Sequence, residues 1–271
     1  MNRRLEILDE MGLTPVWRSR ERDAPSRELD LAARGTERNF SPEDVETQAI
    51  ARRPAPVLDL ERSTETHDDM IKVATEPGER SARIARMSLD QLKAQVKSCT
   101  ACGLCKTRTQ TVFGVGDETA DWMIVGEAPG AEEDARGEPF VGQAGKLLDN
   151  MLAALKLSRE KNVYIANVLK CRPPGNRNPE PAEVAQCAPH LERQIQLVQP
   201  KLILAMGRFA AQTLLNSDAN ISSMRGKLYR YQGVPTIVTY HPAYLLRNLP
   251  DKARAWEDLC FAMATMANKS A

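Results

Sequence analysis

The chain has 271 residues, 42% of them hydrophobic, with 37 lysines and arginines against 36 aspartates and glutamates. No apolar run approaches the roughly 18 residues needed to span a bilayer, and the start, Met1-Asn-Arg-Arg-Leu, lacks the apolar segment of a secretory signal. A soluble cytoplasmic protein without membrane attachment is expected, and the near-neutral total leaves nucleic-acid binding open because a total can hide a split.

Along the chain, Leu5, Leu8 and Met11 fall at helical spacing with Asn2 as a cap, and residues 12–17 then break the pattern and expose Trp17. This short amphipathic segment at 2–17 reads either as a docking motif for a protein partner or as a helix resting on its own domain. From 13 to 87, only 13 of 75 residues are Leu, Ile, Val or Phe, below the roughly 20% of a packed domain. Too little apolar surface is available there to offset the entropy of ordering. Residues 1–87 are therefore expected to form a disordered extension. They hold 15 basic and 18 acidic residues, which leaves 22 and 18 for residues 88–271. The C-terminal part is mildly basic, as a phosphate-binding surface would be.

Residues 88–271 read as one domain. Ser88 and Gln91 match a capping box ahead of Leu89, Leu92 and Val96 on one helical face. Apolar runs at 122–125, 163–166, 202–205 and 236–239 predict buried strands. Between them, Leu147, Leu148, Met151, Leu152 and Leu155 line one helical stripe, and Val184, Ala188, Leu191, Ile195 and Val198 line another. A short helix is expected near 208–215, an antiparallel turn or hairpin from Gly226 to Gly233 before the fourth strand, and a last helix after Pro250 with Trp256, Leu259, Cys260 and Met263 on its core face. Alternating strands and helices predict a three-layer α/β/α fold around a central four-stranded parallel sheet. Ligands of such folds bind beyond the carboxyl ends of the strands. Residues 126–130, 167–171, 207–208 and 241–244 all fall there, so one edge of the sheet should carry the site.

Cys99, Cys102 and Cys105 form a C-x2-C-x2-C cluster, and Cys171 and Cys187 follow. Clustered thiols in a reducing compartment point to metal or redox chemistry before disulfides. Five candidates for four ligand positions leave one surplus. Zinc fits the counts as well as an iron–sulfur cluster does.

Several motifs together resemble one family. They are Cys99-Thr-Ala-Cys102-Gly-Leu, Val112-Phe-Gly-Val-Gly116, Gly126-Glu-Ala-Pro-Gly130, Glu138-Pro-Phe-Val-Gly142, Cys171-Arg-Pro-Pro-Gly-Asn-Arg177 and His241-Pro-Ala-Tyr-Leu-Leu-Arg247. In this order, over residues 88–267, the chain resembles the family 4, iron–sulfur uracil-DNA glycosylases. The resemblance implies that fold and a 4Fe–4S cluster held by Cys99, Cys102, Cys171 and Cys187, with Cys105 as an extra neighbour able to replace Cys102. It implies that Phe140 stacks on the base, that the Asn167 amide reads the uracil edge, and that His241 hydrogen-bonds uracil O2 as the anion departs. Glu127, Ala128 and Gly130 belong to the implied active-site loop. The best-known uracil glycosylases carry an Asp where Ala128 stands, and an alanine cannot act as a base, which leaves Glu127 to orient water or to stabilise the sugar cation. Leu245 or Leu246 would fill the gap left by the flipped base. Arg247 would hold a phosphate or the orphan base, and Arg172, Arg177 and Arg208 would contact phosphates.

The function expected is hydrolysis of the N-glycosidic bond of uracil in single- and double-stranded DNA, in base excision repair, by a monomer. Two rival readings are a uracil-DNA binding protein with little turnover and a polymerase-associated module. Residues 171–187 carry neither a histidine nor an Arg/Lys-rich insertion of the kind that lets some relatives trap DNA covalently, which weighs against the first rival.

Overall fold

The computed structural model describes residues 78–268, so the amphipathic segment at 2–17 lies outside the described residues. The described fold begins ahead of residue 88, the expected domain start. Helix α1 (Glu79–Ile84) buries Ile84 against Leu92 and Val96 of α2 (Leu89–Lys97) and against Phe113. One short turn with a single buried isoleucine is diluted when composition is averaged over a long window. Helix α2 carries the expected capping box: Gln91 N–H donates to Ser88 Oγ at 3.3 Å, and Ser88 N–H donates to Gln91 Oε1 at 2.9 Å.

The four apolar runs form β2 (Trp122–Gly126), β3 (Val163–Asn167), β4 (Leu202–Met206) and β6 (Val234–Thr239), paired in parallel in the order β3-β2-β4-β6. Among the described residues the sheet has six strands, not four. β1 (Val115–Gly116) adds antiparallel to β3 at one edge, and β5 (Leu228–Tyr231) adds antiparallel to β6 at the other. β1 is too short to show a period, and β5 alternates half-buried with exposed residues, so neither resembles the continuous apolar runs of the centre. The β5–β6 pair is the hairpin expected between Gly226 and Gly233.

Side chains alternate along each central strand and divide the core into two layers. Ile124, Ile165, Leu204 and Ile237 pack against α4 (Gln143–Ala154) and α9 (Asp251–Ala267). Met123, Val125, Ala205 and Val238 pack against α5 (Pro181–Val198) and α6 (Arg208–Leu215). The buried face of α9 is rotated from the expected one. Ala255, Leu259 and Ala262 are buried, Trp256 is half-buried, and Cys260 and Met263 are exposed. Small alanines fit closer to the sheet than the large residues on which a pattern search fixes. Among the described residues no helix is long and apolar enough to cross a membrane.

Candidate active site

A cavity of about 730 Å3 opens beyond the carboxyl ends of the four parallel strands. Its wall includes Glu127, Ala128 and Gly130 after β2, Asn167 at the end of β3, Gly207 and Arg208 after β4, and Tyr240 and His241 after β6. Phe140, Arg177 and Arg247, also indicated by the sequence, line it too. The expected convergence on one sheet edge is what the fold produces.

Asn167 closes β3 in register with Gly126, the last residue of β2. Its side chain is 2% exposed, and its Oδ1 has no hydrogen-bond partner among the described residues. Gly126 has no Cβ for a steric reason: a methyl there would overlap Asn167 Oδ1 and lie 2.7 Å from the Phe140 ring. Phe140 is buried with a backbone φ of 55°, in the left-handed region that non-glycine residues seldom occupy. Its ring stacks on the His241 imidazole, with centroids 5.3 Å apart and planes 26° apart.

His241 precedes the short helix α8 (Pro242–Leu245), and its Nδ1 accepts the Ala243 N–H at 3.1 Å. An accepting Nδ1 leaves the hydrogen of the neutral ring on Nε2. Burial holds the imidazolium down to about 4; Arg247 adds to this and Glu133 opposes it. The ring is therefore a neutral donor at physiological pH. Glu127 has its carboxyl pushed above the usual range by burial, against the pull of Arg208. Glu133 joins two loops: Oε2 accepts from Gly130 N–H at 3.1 Å, and Oε1 accepts from Val141 N–H at 3.0 Å and Gly142 N–H at 3.3 Å. Glu133 thus caps the start of the short helix α3 (Ala131–Arg136) and also holds the loop that carries Phe140.

Of the two leucines offered for the wedge, Leu245 is fully buried in the core, whereas Leu246 is 41% exposed. Leu249, which sequence reasoning did not single out, is 61% exposed. Successive residues of a helical turn face different ways, and here the turn sends Leu245 inward and Leu246 outward. Arg172 lies outside the cavity wall, and its Nε donates to Oδ1 of Asn176, which is in that wall. Arg177 makes a two-pronged ion pair with Glu183, at 3.0 and 2.6 Å.

Cys99, Cys102, Cys171 and Cys187 line one second, small cavity of about 10 Å3; Cys105 does not line it. Donors surround the sulfurs. Arg108 Nη1 donates to Cys171 Sγ at 3.0 Å, Arg80 Nη2 to Cys99 Sγ at 3.7 Å, and Lys170 backbone N–H to Cys187 Sγ at 3.3 Å. Among the described residues no group of three or more His, Cys, Asp or Glu is gathered tightly enough for a single metal ion. The two cavities are neighbours through Ala128, which packs with Leu104, Leu169 and Cys171 while facing the larger cavity.

Sequence reasoning missed Lys170. It is wholly buried, with burial lowering its ammonium to about 8, and its Nζ donates to the Asn167 carbonyl at 2.7 Å. The available signal was a lysine inside an otherwise buried run, directly before Cys171. Arg80 and Arg108 carried no such signal, because one lies in the stretch poor in apolar residues and the other in a polar loop.

The uracil DNA glycosylase superfamily model matches residues 113–260. The chain is 50% identical to the type-4 uracil-DNA glycosylase of Archaeoglobus fulgidus, over 59% of this chain and 83% of that protein. It is 44% identical to the type-4 enzyme of Sulfurisphaera tokodaii, over 59% and 77%, and 40% identical to that of Saccharolobus solfataricus, over 67% and 88%. With half of the chain covered by the family model and most of each relative's length matched, the chain belongs to the uracil DNA glycosylase superfamily.

Proposed function

We propose that the chain releases uracil from single- and double-stranded DNA by hydrolysing its N-glycosidic bond, as a monomer in base excision repair. The observation that carries this reading is Asn167 Oδ1, a buried acceptor without a partner in a cavity wall shared with Phe140 and His241. A buried acceptor left unpaired costs about 1–3 kcal/mol. Uracil N3–H would satisfy it, while the amide N–H2 of the same side chain would donate to O4. Cytosine offers the opposite pattern there, and a site built on such pairing rejects the mismatched base.

The base must leave the stack before its sugar bond can be reached. Phe140 then supplies a face for it. As the bond breaks, negative charge collects on uracil and positive charge on the sugar. The Nε2–H of His241 donates to O2 of the departing anion without needing a proton of its own to give. A preorganised donor of this kind is worth roughly 3–4 kcal/mol. Glu127 supplies negative charge near the sugar, and Arg208 favours its ionised form. The carboxylate also orients the attacking water, a task the methyl of Ala128 cannot perform. Arg247 and Arg172 hold phosphates, and Leu246 fills the space left in the duplex.

Cys99, Cys102, Cys171 and Cys187 are the ligands we assign to a 4Fe–4S cluster. Four thiols around one cavity with arginine and amide donors aimed at their sulfurs suit anionic thiolates, and the type-4 relatives favour a cluster over one zinc. Through Cys171 and Cys187, such a group would tie the segment following Cys171 to the loop that carries Cys99 and Cys102. That segment reaches the larger cavity through Pro173, Asn176 and Asn178.

A uracil-containing oligonucleotide, incubated under multiple-turnover conditions and then treated with alkali, tests the reading. Strand cleavage at uracil, and not at thymine or cytosine, is expected. A retained protein–DNA band without abasic product would replace hydrolysis with capture.

A further inference from the structure

Phe140 holds an unfavourable backbone conformation, and something must keep it there. Residues with φ near 55° outside glycine cost of order 1–3 kcal/mol and persist only where their surroundings hold them. The surroundings here converge on Arg159, in the loop between α4 and β3. Its Nη1 donates to the Pro139 carbonyl at 2.8 Å, and its Nη2 donates to the Phe140 carbonyl. Its Nε pairs with Asp149 on α4, which orients the fork from behind. Gly145, on the same helix, makes room: a Cβ there would overlap the Phe140 carbonyl and lie 3.2 Å from Arg159 Nη2. Two successive carbonyls held by one planar guanidinium is a geometry that lysine cannot reproduce.

We propose that Arg159 is a positioning residue for the uracil pocket, acting through Phe140. By holding the carbonyls on either side of the Phe140 N–Cα unit, it fixes the ring in the orientation that meets Gly126, Asn167 and His241. Asp149 serves the same purpose one step further out. The inference rests on the functional reading above, in which Phe140 receives the base.

The test compares binding of free uracil by calorimetry with kcat/KM on a single-stranded uracil oligonucleotide. The proteins are wild type, Arg159→Ala, Arg159→Lys, Phe140→Ala and the Arg159→Ala/Phe140→Ala double variant. Loss of the charge-assisted bonds should weaken uracil binding about ten- to hundredfold in Arg159→Ala. Lysine should restore little of it, and millimolar guanidinium should restore part. In the Phe140→Ala background the same arginine substitution should cost almost nothing further, which a merely structural arginine would not show. Asp149→Asn, which leaves no large void, should give a smaller loss that also vanishes without Phe140; it serves if Arg159→Ala fails to fold. If the losses simply add, Arg159 does not act through Phe140 and the proposal is overturned while the function stands. Wild-type protein that neither binds uracil nor releases it from DNA overturns the functional reading, and the positioning role with it.

Discussion

The backbone N–H of Ala243 donates to Nδ1 of His241 at 3.1 Å, within the same turn. That bond and the burial that lowers the imidazolium to about 4 define one species, a neutral ring with its hydrogen on Nε2. His241→Ala should therefore lower kcat by about 10²–10³, the usual cost of one preorganised donor. Single-turnover base release measures it, and a variant within threefold of wild type would remove His241 from the mechanism.

The same shift has a stability consequence. The folded value lies below the ordinary 6.5 of histidine, so the unfolded chain takes up the proton first as pH falls. The contribution of His241 is complete above about pH 6.5 and is lost progressively towards pH 4. Urea midpoints at pH 7 and pH 5 should diverge less in His241→Ala than in wild type. An unchanged difference between the two pH values would mean that the ring titrates normally in the folded protein.

Asn167 and Gly126 form one device across paired strand ends. Asn167→Ala removes both hydrogen bonds to the base and should depress kcat/KM for uracil by about 10⁴, as in sites built on base or hydroxyl pairing. Gly126→Ala should reach a similar end by displacing the Asn167 amide and the Phe140 ring. The two are separated by thermal unfolding. The alanine at Gly126 introduces a steric conflict and should lower the melting temperature, while Asn167→Ala removes an unpaired buried acceptor and should leave it near or above wild type. Full uracil activity in Gly126→Ala would show that the contact relaxes at no cost.

Much of this was legible in the chain. Continuous apolar runs identified β2, β3, β4 and β6 because strands buried on both faces have no polar side to interrupt them. The motif residues Glu127, Asn167 and His241 each follow such a run, which is why the sequence alone points to the cavity edge. The edge strands β1 and β5 lacked that pattern. The burial of Leu245 in place of Leu246 depends on a rotation within one short turn, which spacing alone does not fix. Lys170 stands out in the sequence as a lysine within a buried run, but what it and Arg159 hold does not: each donates to backbone carbonyls, and a carbonyl leaves no trace in residue identity.

Cys102 and Cys105 are equivalent as a sequence pattern, but only Cys102 lines the cavity with Cys99, Cys171 and Cys187. Cys102→Ser should lose iron and visible absorbance on purification, and Cys105→Ser should keep both. Iron content per chain decides the matter independently of activity. Equal loss in both variants would mean that Cys105 serves as a ligand or that the two exchange.

Leu245 and Leu246 should separate packing from DNA contact. Leu245 is fully buried, so Leu245→Ala should cost about 2–5 kcal/mol of stability and impair every substrate alike. Leu246→Ala, at a position 41% exposed, should change stability by no more than about 0.5 kcal/mol. Its effect should depend on the substrate. A wedge side chain matters where a base is pulled from a stacked pair, since the vacancy must be filled to keep the base out. Single-stranded DNA presents no paired stack to refill. Leu246→Ala should therefore slow release from a U·A duplex most, from a U·G duplex less because that pair opens more easily, and from single strands least. Equal slowing on all three substrates would show that Leu246 contacts the uracil nucleotide itself rather than the gap it leaves.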